Sequence, residues 1–108
     1  MIPVGRVAGH RGARGEMTVR TAPPAARWLV AERRLAAIGL DTASIDPGQS
    51  QRFESHQILF AAEIPAFENL AALDRLPPTG ATLIALPMKI AGGSGGPLRA
   101  VAILPRGE

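Results

Sequence analysis

Apolar positions along the chain change their period several times, and each change marks an element. Between Ala25 and Leu35, Trp28, Ala31 and Leu35 share one face of a helical repeat, with Arg27, Arg33 and Arg34 elsewhere. Thr21 suits an N-cap, and Pro23 and Pro24 fall in the first turn, where a missing N–H has no intrahelical partner. Trp28 is expected to anchor the packing of this helix. The wholly apolar run Ala36-Ala37-Ile38-Gly39-Leu40 then reads as a buried strand of an α/β layer. It ends at Asp41, and the carboxyl end of such a strand is where α/β folds place their chemistry.

The polar loop Asp41-Thr42-Ala43-Ser44-Ile45-Asp46-Pro47-Gly48 follows. Proline fixes φ and glycine permits φ > 0, so Asp46-Pro47-Gly48 specifies a turn. His56 opens a short helix through Ile58-Leu59-Phe60-Ala61-Ala62, closed by Pro65, and Glu68 stands on the strand after it. Phe53, Phe60 and Phe67 recur every seven residues and are expected in the core. Leu70 to Pro78 reads as a short helical turn and a Pro-Pro corner. Thr82 to Leu86 is a strand that Met88-Lys89-Ile90 can extend past Pro87. The glycine-rich Gly92 to Pro97 connects it to a closing strand from Leu98 to Leu104. That loop has no Gly-Lys-Ser/Thr ending and no helix after it, so it is not a phosphate loop.

At 108 residues and 46% hydrophobic content the chain can bury one modest core. The expected organisation is a Gly/Arg-rich segment over 1–21, irregular or a weak strand, followed by a single α/β domain over 22–108. No apolar run approaches the ~20 residues of a membrane span, so no membrane partner is expected. With no hydrophobic signal core ahead of the first arginines and no cysteine, the expected location is cytoplasmic. Charge is uneven: residues 1–36 hold seven arginines against Glu16 and Glu32, whereas the remainder carries a net −2, giving +3 for the whole. Flexible arginines suit phosphate contacts, which leaves an RNA- or ribosome-associated module as one reading of this head. Gly5 to Glu16 is similar to the opening of the ribosome maturation factor that assists small-subunit assembly. No aromatic residue stands among the arginines of residues 1–21 to stack on bases, and nucleic acid is not the expected partner.

Candidate chemistry centres on Asp41 to Leu70. His56 and Glu68 can face each other across the turn between helix and strand, giving the nitrogen and oxygen donors that half of a divalent-metal site needs. By residue type alone, a single His is more often a surface or hydrogen-bonded residue than a ligand, and Glu68 is most simply a solvated strand-end carboxylate. Asp41, Ser44 and Asp46 can orient a ligand or cap the turn and the following helix; capping is the default.

From Ala25 onward the chain resembles the metal-dependent cyclase family, which includes bacterial kynurenine formamidases (arylformamidases) and isatin hydrolases. The resemblance runs through Ala25 to Val30, Ile38-Gly39-Leu40-Asp41-Thr42-Ala43-Ser44-Ile45-Asp46-Pro47-Gly48 and His56-Gln57. It continues through Phe67-Glu68-Asn69-Leu70, Leu73 to Pro78, Ile84-Ala85-Leu86-Pro87-Met88-Lys89-Ile90 and Gly95 to Leu104. It implies the C-terminal part of a swivelling β/β/α fold, with a mixed sheet and two or three helices, in enzymes that are homodimers or larger. It also implies that His56 and Glu68 match ligands for zinc or manganese. The reaction implied is hydrolysis of a small-molecule amide, an aryl formamide such as N-formylkynurenine in tryptophan catabolism or a related cyclic amide. There a divalent cation acidifies water and polarises the carbonyl.

The chain departs from the family pattern ahead of Ala25. The motif His-x-Gly-Thr-His-x-Asp, which supplies the other ligands, has only a distant echo in His10-Arg11-Gly12-Ala13-Arg14-Gly15-Glu16. An arginine there cannot ligate a cation, being permanently protonated. The expectation is a truncated family member with an incomplete metal site and weak metal binding, completed by a complementing chain or a homo-oligomer. A catalytically silent interaction domain is the remaining alternative.

Overall fold

The computed structural model describes residues 2–3 and 22–105. The Thr21 cap, the arginine-rich arm and the His10-to-Glu16 echo lie outside the described residues. Among the described residues two compact units are distinguished, 22–73 and 2–3 with 74–105.

In the first unit, helix α1 (Pro23–Arg33) starts from Ala22 in an extended conformation, whose carbonyl accepts the N–H of Ala25 and of Ala26. Proline in the first turn supplies the right φ and withholds no needed donor. The helix ends at Arg34, whose left-handed backbone (φ 45°) turns the chain before Leu35 can join. Only Ala26 is fully buried, with Val30 one turn later packed against the core. Such a small side chain lets α1 approach helix α2 (Glu54–Ala61) closely. Trp28 is therefore not the anchor expected: it stays 48% exposed, with the Arg33 guanidinium 4.4 Å above its ring.

The apolar run after α1 shortens to strand β2 (Ile38–Gly39), paired in parallel with β3 (Ala66–Phe67). Hydrogen bonds continue the pairing on both sides, from Ile38 N–H to the Pro65 carbonyl and from Leu40 N–H to the Phe67 carbonyl. Ala26, Leu40, Ile45, Leu59 and Ile64 form the core of this unit. Helix α2 buries Ser55 and Leu59, one turn apart, so the neighbouring stripe of Phe53, His56 and Phe60 turns outward. Phe53 and Phe60 are each 52% exposed, against the core positions expected of them. The heptad spacing placed them on one stripe, but the core chose the adjacent one.

In the second unit, β4 (Thr82–Pro87) and β5 (Leu98–Ile103) form an antiparallel hairpin, and β1 (Ile2–Pro3) pairs antiparallel with β4. A 3-10 turn, Leu73–Arg75, begins at the last residue of the first unit and precedes the hairpin. Strand β4 stops at Pro87, as a residue without N–H favours, and Met88 makes one further bond to the Pro97 carbonyl. The loop beyond turns at Gly92, whose φ of 70° suits glycine. Ile84 faces Val101 across the hairpin, with Leu86 and Ile103 on the same face by alternation, and all four are exposed. Parallel and antiparallel pairings thus both occur, in separate sheets.

Leu59→Ala should lower the unfolding free energy by about 2–5 kcal/mol, because Leu59 is wholly enclosed. Leu86→Ala, on the exposed hairpin face, should change it by no more than about 0.5 kcal/mol. Urea titration of the two variants checks the contrast.

Candidate active site

The loop after β2 and the residue after β3 emerge at the carboxyl ends of two parallel strands. Backbone bonds from Leu70 N–H to the Leu40 carbonyl and from Asn69 N–H to the Thr42 carbonyl hold the two exits side by side. Within the loop, Thr42 Oγ1 donates to the Ser44 carbonyl, and Ser44 Oγ accepts from Asp46 N–H. Ser50 N–H closes the turn onto the Pro47 carbonyl. Gly48 is not among the residues with positive φ, so the turn forms without the conformation glycine was expected to supply.

This scaffold buries Asp46, which is 4% exposed. Its Oδ1 accepts Ser55 N–H at 2.9 Å, and its Oδ2 accepts His56 N–H at 3.1 Å and lies 2.6 Å from His56 Nδ1. Ser55 and His56 occupy the second and third positions of α2, where backbone donors have no intrahelical partner. Phe53, the residue before the helix, provides no side-chain cap. A carboxylate from the preceding loop does that work, at the helix end where negative charge is favoured. Burial would push the Asp46 carboxyl up, but hydrogen bonds from the His56 side chain and from Ser55 and His56 outweigh it. The group is held below the ordinary carboxylate range. Asp46 therefore both caps, as its residue type suggested, and orients the imidazole.

The same contact fixes the chemistry of His56. An ionised carboxylate only accepts, so Nδ1 carries the proton toward Asp46, and Nε2 is directed away from it. Nε2 lies 3.1 Å from Glu68 Oε1, an oxygen held in place by the Ile45 N–H, which donates to it at 3.0 Å. The imidazole and the carboxylate that the sequence singled out thus converge, each set by a different strand exit. Ser44 belongs to the supporting loop, whereas Asp41 is exposed. The Asp46–His56 bond could have been sought in the sequence, since Asp-Pro-Gly shortly before a helix with His in its first turn provides both partners.

A divalent cation implied by such a pair can be tested against the donors. An imidazole whose second nitrogen is held by a carboxylate is the form in which histidine ligates metals. A separation of 3.1 Å is of the order expected between two ligands each about 2.1 Å from one cation. His56 and Glu68 fit as two ligands. Among the described residues no group of three or more His, Cys, Asp or Glu is placed to hold a metal.

No family model matches the chain. It is 41% identical over 80 residues to a kynurenine formamidase of Bordetella petrii, a match covering 74% of this chain and 37% of that protein. Its fold superposes on isatin hydrolase A from Labrenzia aggregata bound to benzyl benzoate with a TM-score of 0.72 and 40% identity. That match covers 77% of this chain and 34% of the other. A potential metal-dependent hydrolase with cyclase activity gives a TM-score of 0.64 at 28% identity, over 73% of this chain and 38% of the other. Sequence and fold thus place the chain in the cyclase family to which these proteins belong, with the α/β fold of their C-terminal part. Within that family its relatives are kynurenine formamidases and isatin hydrolases, and it spans about a third of their length. Among the described residues no helix is long and apolar enough to cross a membrane.

Because the folded-state pKa of Asp46 is depressed, its ionised form stabilises the fold fully above the unfolded-state value of about 3.9. That contribution is lost as the pH falls through the lower folded-state value. Asp46→Asn should cost about 1–3 kcal/mol at neutral pH. The gap between the two proteins should close as the pH is lowered from about 5 to about 2. Denaturant titrations across that range check it, and a constant gap would contradict the assignment.

Proposed function

We propose that this chain supplies the His56 and Glu68 ligands of a divalent-metal centre in an amide hydrolase. The substrate would be an aryl formamide such as N-formylkynurenine, within tryptophan catabolism, or a related cyclic amide. Zinc or manganese is the cation this reading takes, and the cytoplasm its compartment. The observation that carries it is the line of contacts from buried Asp46 through the imidazole to Glu68, at 2.6 and 3.1 Å. The kinship with kynurenine formamidases and isatin hydrolases supports the choice of reaction.

In this reading Asp46 keeps the Nδ1 proton, holds the ring in one orientation and leaves the Nε2 lone pair to ligate. Ile45 N–H steadies Glu68 Oε1 beside it. When bound, a divalent cation polarises an amide carbonyl and acidifies water, so that hydrolysis can proceed near neutral pH. Two protein ligands fall short of the three that a catalytic zinc site ordinarily holds. The chain is accordingly proposed to lack a complete active site on its own, and to act as a homo-oligomer or with a complementing chain. The exposed apolar face of Ile84, Leu86, Val101 and Ile103 supports a partner of that kind.

Calorimetric titration with Zn²⁺ should give a dissociation constant weaker than about 1 μM, short of the affinity of four-ligand structural sites. His56→Ala should remove the remaining binding, and the chain alone should release no formate from N-formylkynurenine. Tight binding that His56→Ala abolishes, or hydrolysis by the isolated chain, would overturn the incomplete-site proposal.

A further inference from the structure

Helix α2 inverts the usual distribution of its side chains. Ser55 is fully buried, whereas two of the chain's three phenylalanines stay half exposed on the adjoining stripe. Both rings meet the same imidazole. Phe53 lies 6.1 Å from His56 between ring centroids, with an interplanar angle of 84°; Phe60 lies 5.3 Å away at 83°. They stand about one turn before and one turn after His56, so the partly exposed imidazole is bracketed along the helix by apolar edges.

The placement of Phe53 comes at a conformational cost. Its backbone is left-handed, φ 49° and ψ 47°, a region that bulky residues rarely occupy. Ser50 Oγ accepts the Phe53 N–H and helps hold it there. An uncommon backbone conformation that brings an exposed ring against the imidazole is the kind of feature found at binding sites.

We propose that Phe53 and Phe60 form an aromatic wall beside His56 that recognises the aryl group of an amide substrate. The proposal rests on the reading of His56 and Glu68 as part of a hydrolase centre and assigns the residues that select its substrate. A planar aryl ring offers the phenylalanines both apolar area and edge-to-face contacts, whereas a saturated ring of similar size offers only area. Neither side chain hydrogen-bonds, so the wall selects by shape and ring character, leaving polar recognition of the amide to other groups.

The test uses the whole chain and two probes, formanilide and its saturated counterpart N-cyclohexylformamide, followed by NMR on the rings of His56, Phe53 and Phe60. Formanilide should shift these resonances saturably and bind at least about 3-fold more tightly than the cyclohexyl compound. Phe53→Leu and Phe60→Leu should each remove most of that preference while leaving Zn²⁺ affinity within about 2-fold, since neither phenylalanine supplies a donor atom. Phe60→Leu keeps the test decisive should Phe53→Leu disturb the turn. Equal binding of the two probes, no saturable shift, or an unchanged preference in both variants overturns the proposal. Zn²⁺ titration of His56→Ala judges the metal reading separately, because the probe comparison is made without metal.

Discussion

A buried carboxylate joined to the start of a helix by hydrogen bonds to Ser55 and His56 organises the first unit of this chain. Asp46 enters the interior at 4% exposure, where an unpaired charge would be prohibitive. It is compensated by Ser55 N–H, His56 N–H and His56 Nδ1, two of which are helix-end donors that would otherwise lack partners. One side chain thereby solves two problems, the charge of the loop and the open end of α2. The remaining bond sets the ring of His56. Among the described residues no buried side-chain nitrogen or oxygen lacks a hydrogen-bond partner, as a polar site inside an apolar shell requires.

From that constraint the rest of the site follows in order. The loop is held by Ser44 and Thr42, the imidazole by Asp46, and Glu68 by Ile45 N–H. Leu59 and Ile45 close the core beneath. The paired exits of β2 and β3 keep the two halves of the site in register, so a short parallel pairing is enough to position chemistry that lies just beyond it. In the proposed function this arrangement is half of a metal centre. The matched part covers only 37% and 34% of two such relatives, and other ligands can reside in the length outside it.

Local signals in the sequence found the elements well and their environments less well. Proline at the start of α1, the apolar run at β2 and the glycine-rich connection between β4 and β5 each carry a backbone preference that acts over a few residues. Burial is decided across the fold. Ala26 rather than Trp28 faces the core because the helices approach closely, and Ser55 displaces Phe53 and Phe60 because the buried stripe of α2 is shifted by one position. The convergence of His56 and Glu68 was legible from a short helix followed by a strand. The resemblance to the cyclase family named them as ligands, which spacing alone does not. The part of Asp46 was half legible: its capping habit is local, but its contact with His56 depends on how the loop folds back.

The most direct measurement is the protonation and ligation pattern of the His56 ring, read by long-range ¹H–¹⁵N NMR with and without saturating Zn²⁺. The account predicts that Nδ1 keeps its proton toward Asp46 in both states and that only Nε2 takes on the shift of a metal-bound nitrogen. Coordination through Nδ1, or a ring whose nitrogens do not respond to the metal at all, would contradict it.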